Sequence, residues 1–175
     1  WALGMDHSGP VEIVPPETGQ VAVLTYKYAN GVVLQVVPGR LNPAVQEIPP
    51  GWDPQTVIQP FGALYVGERG WIHVGREGYL AAHPAEILQQ PTEKPGADRP
   101  LYNHHLDWLA AIRSRTDPAS NVESACRSTM VSHLGCIAHW MGRALRWDPE
   151  REEFLDDHQA NLLRSRPMRE PWRLE

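Results

Sequence analysis

Apolar and β-branched residues come in short runs through the first half of the chain and at helical spacing through the second. Residues 11–14 form an apolar run closed by Pro15-Pro16, and residues 21–29 and 32–37 form two more on either side of Asn30-Gly31. That dipeptide predicts a hairpin with a type I′ turn, which needs positive φ at both central residues. Residues 40–61 hold five prolines and no period, so they read as an irregular excursion. Residues 63–66 and 71–74 flank Gly67-Glu68-Arg69-Gly70, a second hairpin, and residues 79–82 predict a further strand. Residues 83–100 are again a proline-rich connection.

Beyond residue 100 the period changes. Leu101, His105, Trp108, Leu109 and Ile112 recur at three and four residues and predict an amphipathic helix stopping near Asp117-Pro118. Ser120 followed by Glu123 has the capping-box pattern. A long helix is predicted from there to about Arg146, ended by Trp147-Asp148-Pro149. Its apolar stripe is Cys126, Met130, His133, Ile137, Trp140 and Ala144, and His133 on that stripe reads as a buried, hydrogen-bonded imidazole. The opposite arc carries the small residues Ser128, Gly135 and Gly142, which would let a second backbone approach closely. A short helix is expected over residues 157–164, and an irregular tail from Arg166.

Strands first and helices later, with few alternations, predict an α+β fold. Its form would be a mainly antiparallel open β-sheet with helices packed on one face, as a single domain over residues 1–175. The chain of 175 residues is long enough to bury a core without a disulfide or metal staple. Lys+Arg is 16 against Asp+Glu 21, and a net charge of −5 excludes nucleic-acid binding by bulk charge. No apolar run approaches the roughly 18 residues of a membrane span. Cys126 and Cys136 fall in one predicted helix about 15 Å apart, beyond disulfide reach. The absence of a bridge fits a reducing compartment. Trp1 rather than Met opens the chain, which reads as a processed product or fragment.

Candidate chemistry narrows by geometry. No strand–Gly-x-Gly-x-x-Gly–helix unit and no Walker-type loop occurs, so the chain has no nucleotide-phosphate cradle of its own. Eight histidines invite a metal, but no zinc-protease spacing exists, and His104-His105 would diverge by about 100° on a helix; no metal ligand is assigned. Asp6-His7-Ser8 cannot converge as a triad because its members are consecutive. His105 falls on the apolar face of its helix. His104 lies off that stripe at the helix start, where an imidazole could face a cleft or simply be solvated. The tail with Arg169, Trp172 and Arg173 is interleaved with Glu170 and Glu175, and reads as solvated or packed against a subunit.

Several segments together resemble one family. Trp1-Ala2-Leu3-Gly4-Met5-Asp6, then Thr25-Tyr26-Lys27-Tyr28-Ala29-Asn30-Gly31, then Gly67-Glu68-Arg69-Gly70-Trp71-Ile72 with Arg76 occur in the order seen there. His104-His105 through Ile112-Arg113-Ser114 resembles its "H-x-x-N/D-F-x-x-A-I-R" run. Leu145-Arg146-Trp147-Asp148-Pro149, Glu153-Phe154, Asp157, Ala160-Asn161 and Arg169-Glu170-Pro171-Trp172 resemble the C-terminal signature of its planctomycete-like branch. The family is the glucose–fructose oxidoreductase/inositol dehydrogenase (Gfo/Idh/MocA) group.

The resemblance implies a two-domain oxidoreductase of which this chain is the C-terminal, substrate-cleft and oligomerisation domain. Its partner would be an N-terminal Rossmann domain absent from the chain. NAD or NADP would serve the full-length protein, with none bound by this chain alone, and the substrate would be a small carbohydrate or cyclitol bearing hydroxyl or ketone. It implies a homo-oligomer through the sheet, while the charge balance and the lack of a long apolar run predict neither a nucleic-acid nor a membrane partner. No catalytic or cofactor-binding residue carries over, because the family's acid/base pair would lie before Trp1. Glu93-Lys94-Pro95 spells the family's catalytic motif but in a proline-rich loop of the second domain, and is read as coincidental. The substrate contacts that transfer are His104, then His105 and Arg76. Two rival readings stand beside this one. The first is a stand-alone dimeric binding or assembly module, its uncovered sheet face bearing Val23, Thr25, Val33 and Gln35. The second is a hydrolase or lyase using His104 with a carboxylate.

Overall fold

A computed structural model describes residues 3–17, 22–58, 61–89 and 104–171. Glu93-Lys94-Pro95, Leu101 and Trp172 lie outside the described residues. In chain order the elements are β1 (Glu12–Val14), β2 (Leu24–Lys27), β3 (Val33–Val36), β4 (Ala63–Gly67), β5 (Gly70–Val74) and β6 (Leu80–His83). A 3-10 turn (Ala85–Gln89), α1 (His104–Ser114), α2 (Val122–Met141), β7 (Leu145–Asp148), β8 (Glu153–Phe154) and α3 (His158–Leu162) follow. The α+β class holds, and every strand pair is antiparallel. The single sheet predicted from the sequence is instead two: β3-β2-β1-β7-β8 and β4-β5-β6. The chain divides into two compact units, Trp1–Val36 with Arg99–Glu175, and Val37–Asp98.

In the first unit the strands alternate in the period-2 manner, so one face of the five-stranded sheet is apolar. Ile13 sits opposite both Tyr26 and Leu145, and Trp147 opposite Phe154. These five side chains are buried against Leu134, Ile137 and Ala138 of α2 and Ala160 of α3. Trp147 and Phe154 meet edge to face with centroids 4.9 Å apart, a favoured quadrupole geometry. Gly135 lets α2 lie this close: a Cβ there would fall inside the Tyr26 hydroxyl and 2.7 Å from Leu24 Cδ2. The other face of the sheet is polar, with Glu12 and Lys27 paired at 2.9 Å.

Four local expectations are corrected here. The Asn30-Gly31 hairpin forms, but only Gly31 has positive φ, at 87°. Gly31 N–H bonds Tyr28 C=O and Tyr28 N–H bonds Val32 C=O, which makes a three-residue loop closed by a glycine bulge rather than a type I′ turn. The cap of α2 is Asn121, whose side chain accepts from Ser124 N–H at 2.9 Å, so no Ser120 capping box forms. The helix ends at Met141 with Gly142 in the left-handed conformation (φ 63°), and residues 145–148 become a central strand instead of its last turn. Finally, the buried stripe of α2 is rotated from the predicted one. Leu134, Gly135, Ile137 and Ala138 face the sheet, while Cys126, His133 and Trp140 are exposed.

Two polar clamps hold the distal end of this unit. Asp157 caps α3, accepting from Ala160 N–H at 3.0 Å, and takes a two-pronged bond from Arg143. Asn161 donates to Phe154 C=O (2.7 Å) and accepts from Phe154 N–H (2.9 Å), completing the strand's hydrogen bonding with a side-chain amide. Helix α1 contrasts with this packing: Ala111 is buried, whereas Trp108, Leu109 and Ile112 of the predicted apolar face are exposed.

In the second unit the excursion between β3 and β4 folds onto the three-stranded sheet. Trp52 lies edge to face with Trp71 at 5.0 Å and tilted against His73 at 5.3 Å, and Trp71 Nε1 donates to Pro50 C=O at 3.0 Å. Gly51 passes flat over the His83 ring, where a Cβ would meet ring carbons at 2.7 Å. Glu68 and Arg69 form the two-residue loop between β4 and β5.

Candidate functional site

His104 opens α1 and His105 follows it, and both side chains are exposed. The apolar-face burial that periodicity suggests for His105 is therefore absent. The carboxylate nearest them on the helix, Asp107, accepts from Ala119 N–H at 2.7 Å and so fastens α1 to the segment before α2. Arg76 belongs to the second unit, in the turn between β5 and β6, with its guanidinium carbon 4.5 Å from the Phe61 ring centroid. Phe61 itself has φ 60° and is 85% exposed.

Two further groups escaped motif reasoning. One is an aromatic–histidine stack in the second unit, where His73 lies beside Tyr79 at 5.0 Å and His83 stacks on Trp71 at 6.1 Å. His73 is fully buried, and burial lowers its pKa from the usual imidazole value, which keeps it neutral. The alternation Trp71-x-His73 on a strand was the available signal, since it puts both rings on one face. The other group is a shallow depression of about 570 Å³ over the β1–β7 pair of the first unit, lined by Glu12, Arg146, Asp148, Pro149 and Leu155 among others. Hydrogen bonds from the Arg151 and then the Glu150 backbone N–H lower the Asp148 pKa, fixing a carboxylate there. Trp147 Nε1 is buried beside it without a hydrogen-bond partner. Tyr26, buried against α2, is no proton donor near neutrality. Burial first, then Cys136 and Tyr28, push its pKa up to about 12.

Among the described residues no three His, Cys, Asp or Glu side chains converge as metal ligands do. Neither α2 nor α3 begins after a glycine-rich turn. Asn121 caps the first, and the carboxylate of Asp157 caps the second, where a phosphate would meet repulsion.

Residues 90–174 match the protein-family model described as "Oxidoreductase family, C-terminal alpha/beta domain". They belong to the C-terminal domain of the Gfo/Idh/MocA oxidoreductases. The matched segment takes in α1, α2, β7, β8 and α3 and leaves residues 1–89 outside it. Comparison with curated proteins and with solved structures gives no match. A C-terminal domain of this family implies an N-terminal domain as its partner. Among the described residues every strand pair is antiparallel, and the sequence holds no glycine-rich strand-to-helix turn of the kind that cradles a pyrophosphate.

Proposed function

We propose that this chain is the substrate-cleft and oligomerisation half of an NAD(P)-dependent oxidoreductase of the planctomycete-like branch. It would act on a sugar or cyclitol at a CH–OH or ketone carbon. The observation that carries the reading is the family match over residues 90–174, joined to the absence of any dinucleotide cradle in the chain itself. Hydride transfer then needs the nucleotide-binding half, and the isolated chain is silent. Its own residues bind and orient the substrate. His104 at the exposed start of α1 is the foremost contact, since an imidazole both donates and accepts hydrogen bonds to hydroxyls. His105 and Arg76 are secondary contacts, Arg76 the less so because Phe61 already covers its guanidinium. In the protein bearing both halves, His104→Ala should raise KM for the carbohydrate about tenfold, as the loss of one or two hydrogen bonds does. The Kd for the nicotinamide should stay unchanged. An unaltered KM removes His104 from the site.

A homo-oligomer through a sheet is part of the same proposal. The alternative, a dimeric assembly module without redox activity, shares that feature. The two part company at turnover by the two-domain protein.

A further inference from the structure

We infer that Phe61, backed by Arg76, is a stacking platform for the ring of a neutral polyol, a pyranose or cyclitol that presents its C–H face. The inference deepens the carbohydrate reading above and rests on it for the choice of ligand. The platform itself lies wholly within the second unit.

The register of β4 and β5 places the two side chains together. Ala63 is opposite Val74, and two residues further out on the same face Phe61 comes opposite Arg76. The guanidinium carbon lies 4.5 Å from the ring centroid, so one face of the ring is covered by a cation. Phe61 nevertheless remains 85% exposed, which leaves its other face open. An exposed phenyl ring contributes little burial to folding.

The backbone is strained at the same place. Phe61 has φ 60°, an outlying conformation for a bulky residue. A second outlier stands at the same end of the sheet. Residues 76–79 make a type I′ turn, closed by Tyr79 N–H to Arg76 C=O at 3.1 Å, with Glu77 at φ 58° and Gly78 at φ 78°. Glycine or asparagine suits the first central position, and glutamate does not. Phe61, Arg76 and Glu77 are all exposed, so core packing repays neither strained residue. Strain of this kind collects where a side chain must be held in place for a ligand.

The chemistry of the three groups selects the ligand. Phe61 offers an apolar face, and a guanidinium lying on a ring keeps its in-plane N–H groups for hydrogen bonds. Glu77, next to Arg76 in the turn, adds an acceptor. Neither charged side chain has an ion pair among the described residues. Hydroxyls both donate and accept, so they suit a donor fork beside a carboxylate. The two charges cancel, and a phosphate or carboxylate drawn to Arg76 would be repelled by Glu77. A pyranose or cyclitol with equatorial hydroxyls supplies both halves of the match, axial C–H groups on its faces and hydroxyls around its rim.

Saturation-transfer NMR of the protein with methyl β-D-glucopyranoside and with scyllo-inositol, titrated through the millimolar range, reads the result. Transfer to ring C–H hydrogens is expected for at least one of the two. Phe61→Ala should weaken that binding about tenfold, and Phe61→Tyr should retain it. Phe61→Gly separates ligand contact from stability: it relieves the backbone, so its urea midpoint should lie above that of Phe61→Ala while it binds as poorly. Binding indifferent to Phe61→Ala overturns the platform, as does the absence of transfer from both polyols. Adenosine binding at Phe61 in their place would also overturn the inference and assign the ring to a nucleobase. Phe61-dependent polyol binding, in a two-domain protein that shows no hydride transfer, would uphold the platform and remove the redox reading instead.

Discussion

Gly135→Ala tests the packing of α2 on the sheet by the sign of its effect. In an open helical position the change stabilises by about 1 kcal/mol, because glycine is the poorest ordinary helix former. Here the added methyl falls inside the Tyr26 hydroxyl, 2.7 Å from Leu24 Cδ2 and 3.1 Å from Tyr26 Cζ. Tyr26 is 3% exposed and hemmed in by the core, so it has little room to retreat. Overpacking of this kind costs about 1–3 kcal/mol. The propensity gain offsets part of that, leaving a net loss of about 1 kcal/mol. The second change, Tyr26→Phe, removes the worst clash and leaves mainly the flexible end of Leu24. The double variant should therefore be more stable than the sum of the single changes predicts. Urea unfolding followed by helical circular dichroism measures all four proteins. Stabilisation by Gly135→Ala alone would refute the close approach.

Other consequences follow from the clamps and the buried histidine. Asp157→Ala should cost about 1 kcal/mol for the lost cap of α3, plus the Arg143 bond, in the same urea assay. The Arg143 hydrogen bond, then that of Ala160 N–H, lower the Asp157 pKa to about 2. Its stabilisation is thus complete above the unfolded carboxylate value near 4 and is lost as pH falls from there toward 2, a dependence absent in Asp157→Ala. His73, with its pKa lowered by burial, contributes stability that is complete above about pH 6.5 and is lost as pH falls below it. Tryptophan fluorescence from Trp52 and Trp71 should report this acid loosening of the second unit, and His73→Leu should flatten it. Asn161→Ala strips both hydrogen bonds from the Phe154 backbone and should cost about 1–3 kcal/mol, read as faster amide exchange at Phe154.

Local signals located most elements and misjudged where tertiary contacts decide. The hairpin at residues 30–31 was legible because turn residues interrupt two β-branched runs. Its turn type was not, since Asn30 meets its needs differently, accepting from Val32 N–H at 3.1 Å with φ negative. The stretch from Leu145 to Asp148 reads as a helix tail by continuity. Two things make it a strand: Gly142 in the left-handed conformation, and β1, whose Ile13 pairs with Leu145. The phase of α2 was misread where its large apolar side chains were counted, whereas Gly135, read on the opposite arc as a point of close approach, marks the face that meets the sheet. The α1 stripe of Trp108, Leu109 and Ile112 was legible as a pattern, but a pattern does not name what covers it. Of the site, the sequence picked out His104 and His105 by position. The stack of Trp52, Trp71, His73, Tyr79 and His83 depends on an irregular excursion closing over a sheet, which no period announces.

The measurement that bears most directly on the account is a titration of this chain with NADH and NADPH, followed by nicotinamide fluorescence and by calorimetry. The account predicts no binding to the isolated chain, and both binding and carbohydrate-dependent hydride transfer once a nucleotide-binding domain of the family precedes it. Saturable nicotinamide binding with turnover by the isolated chain would contradict it.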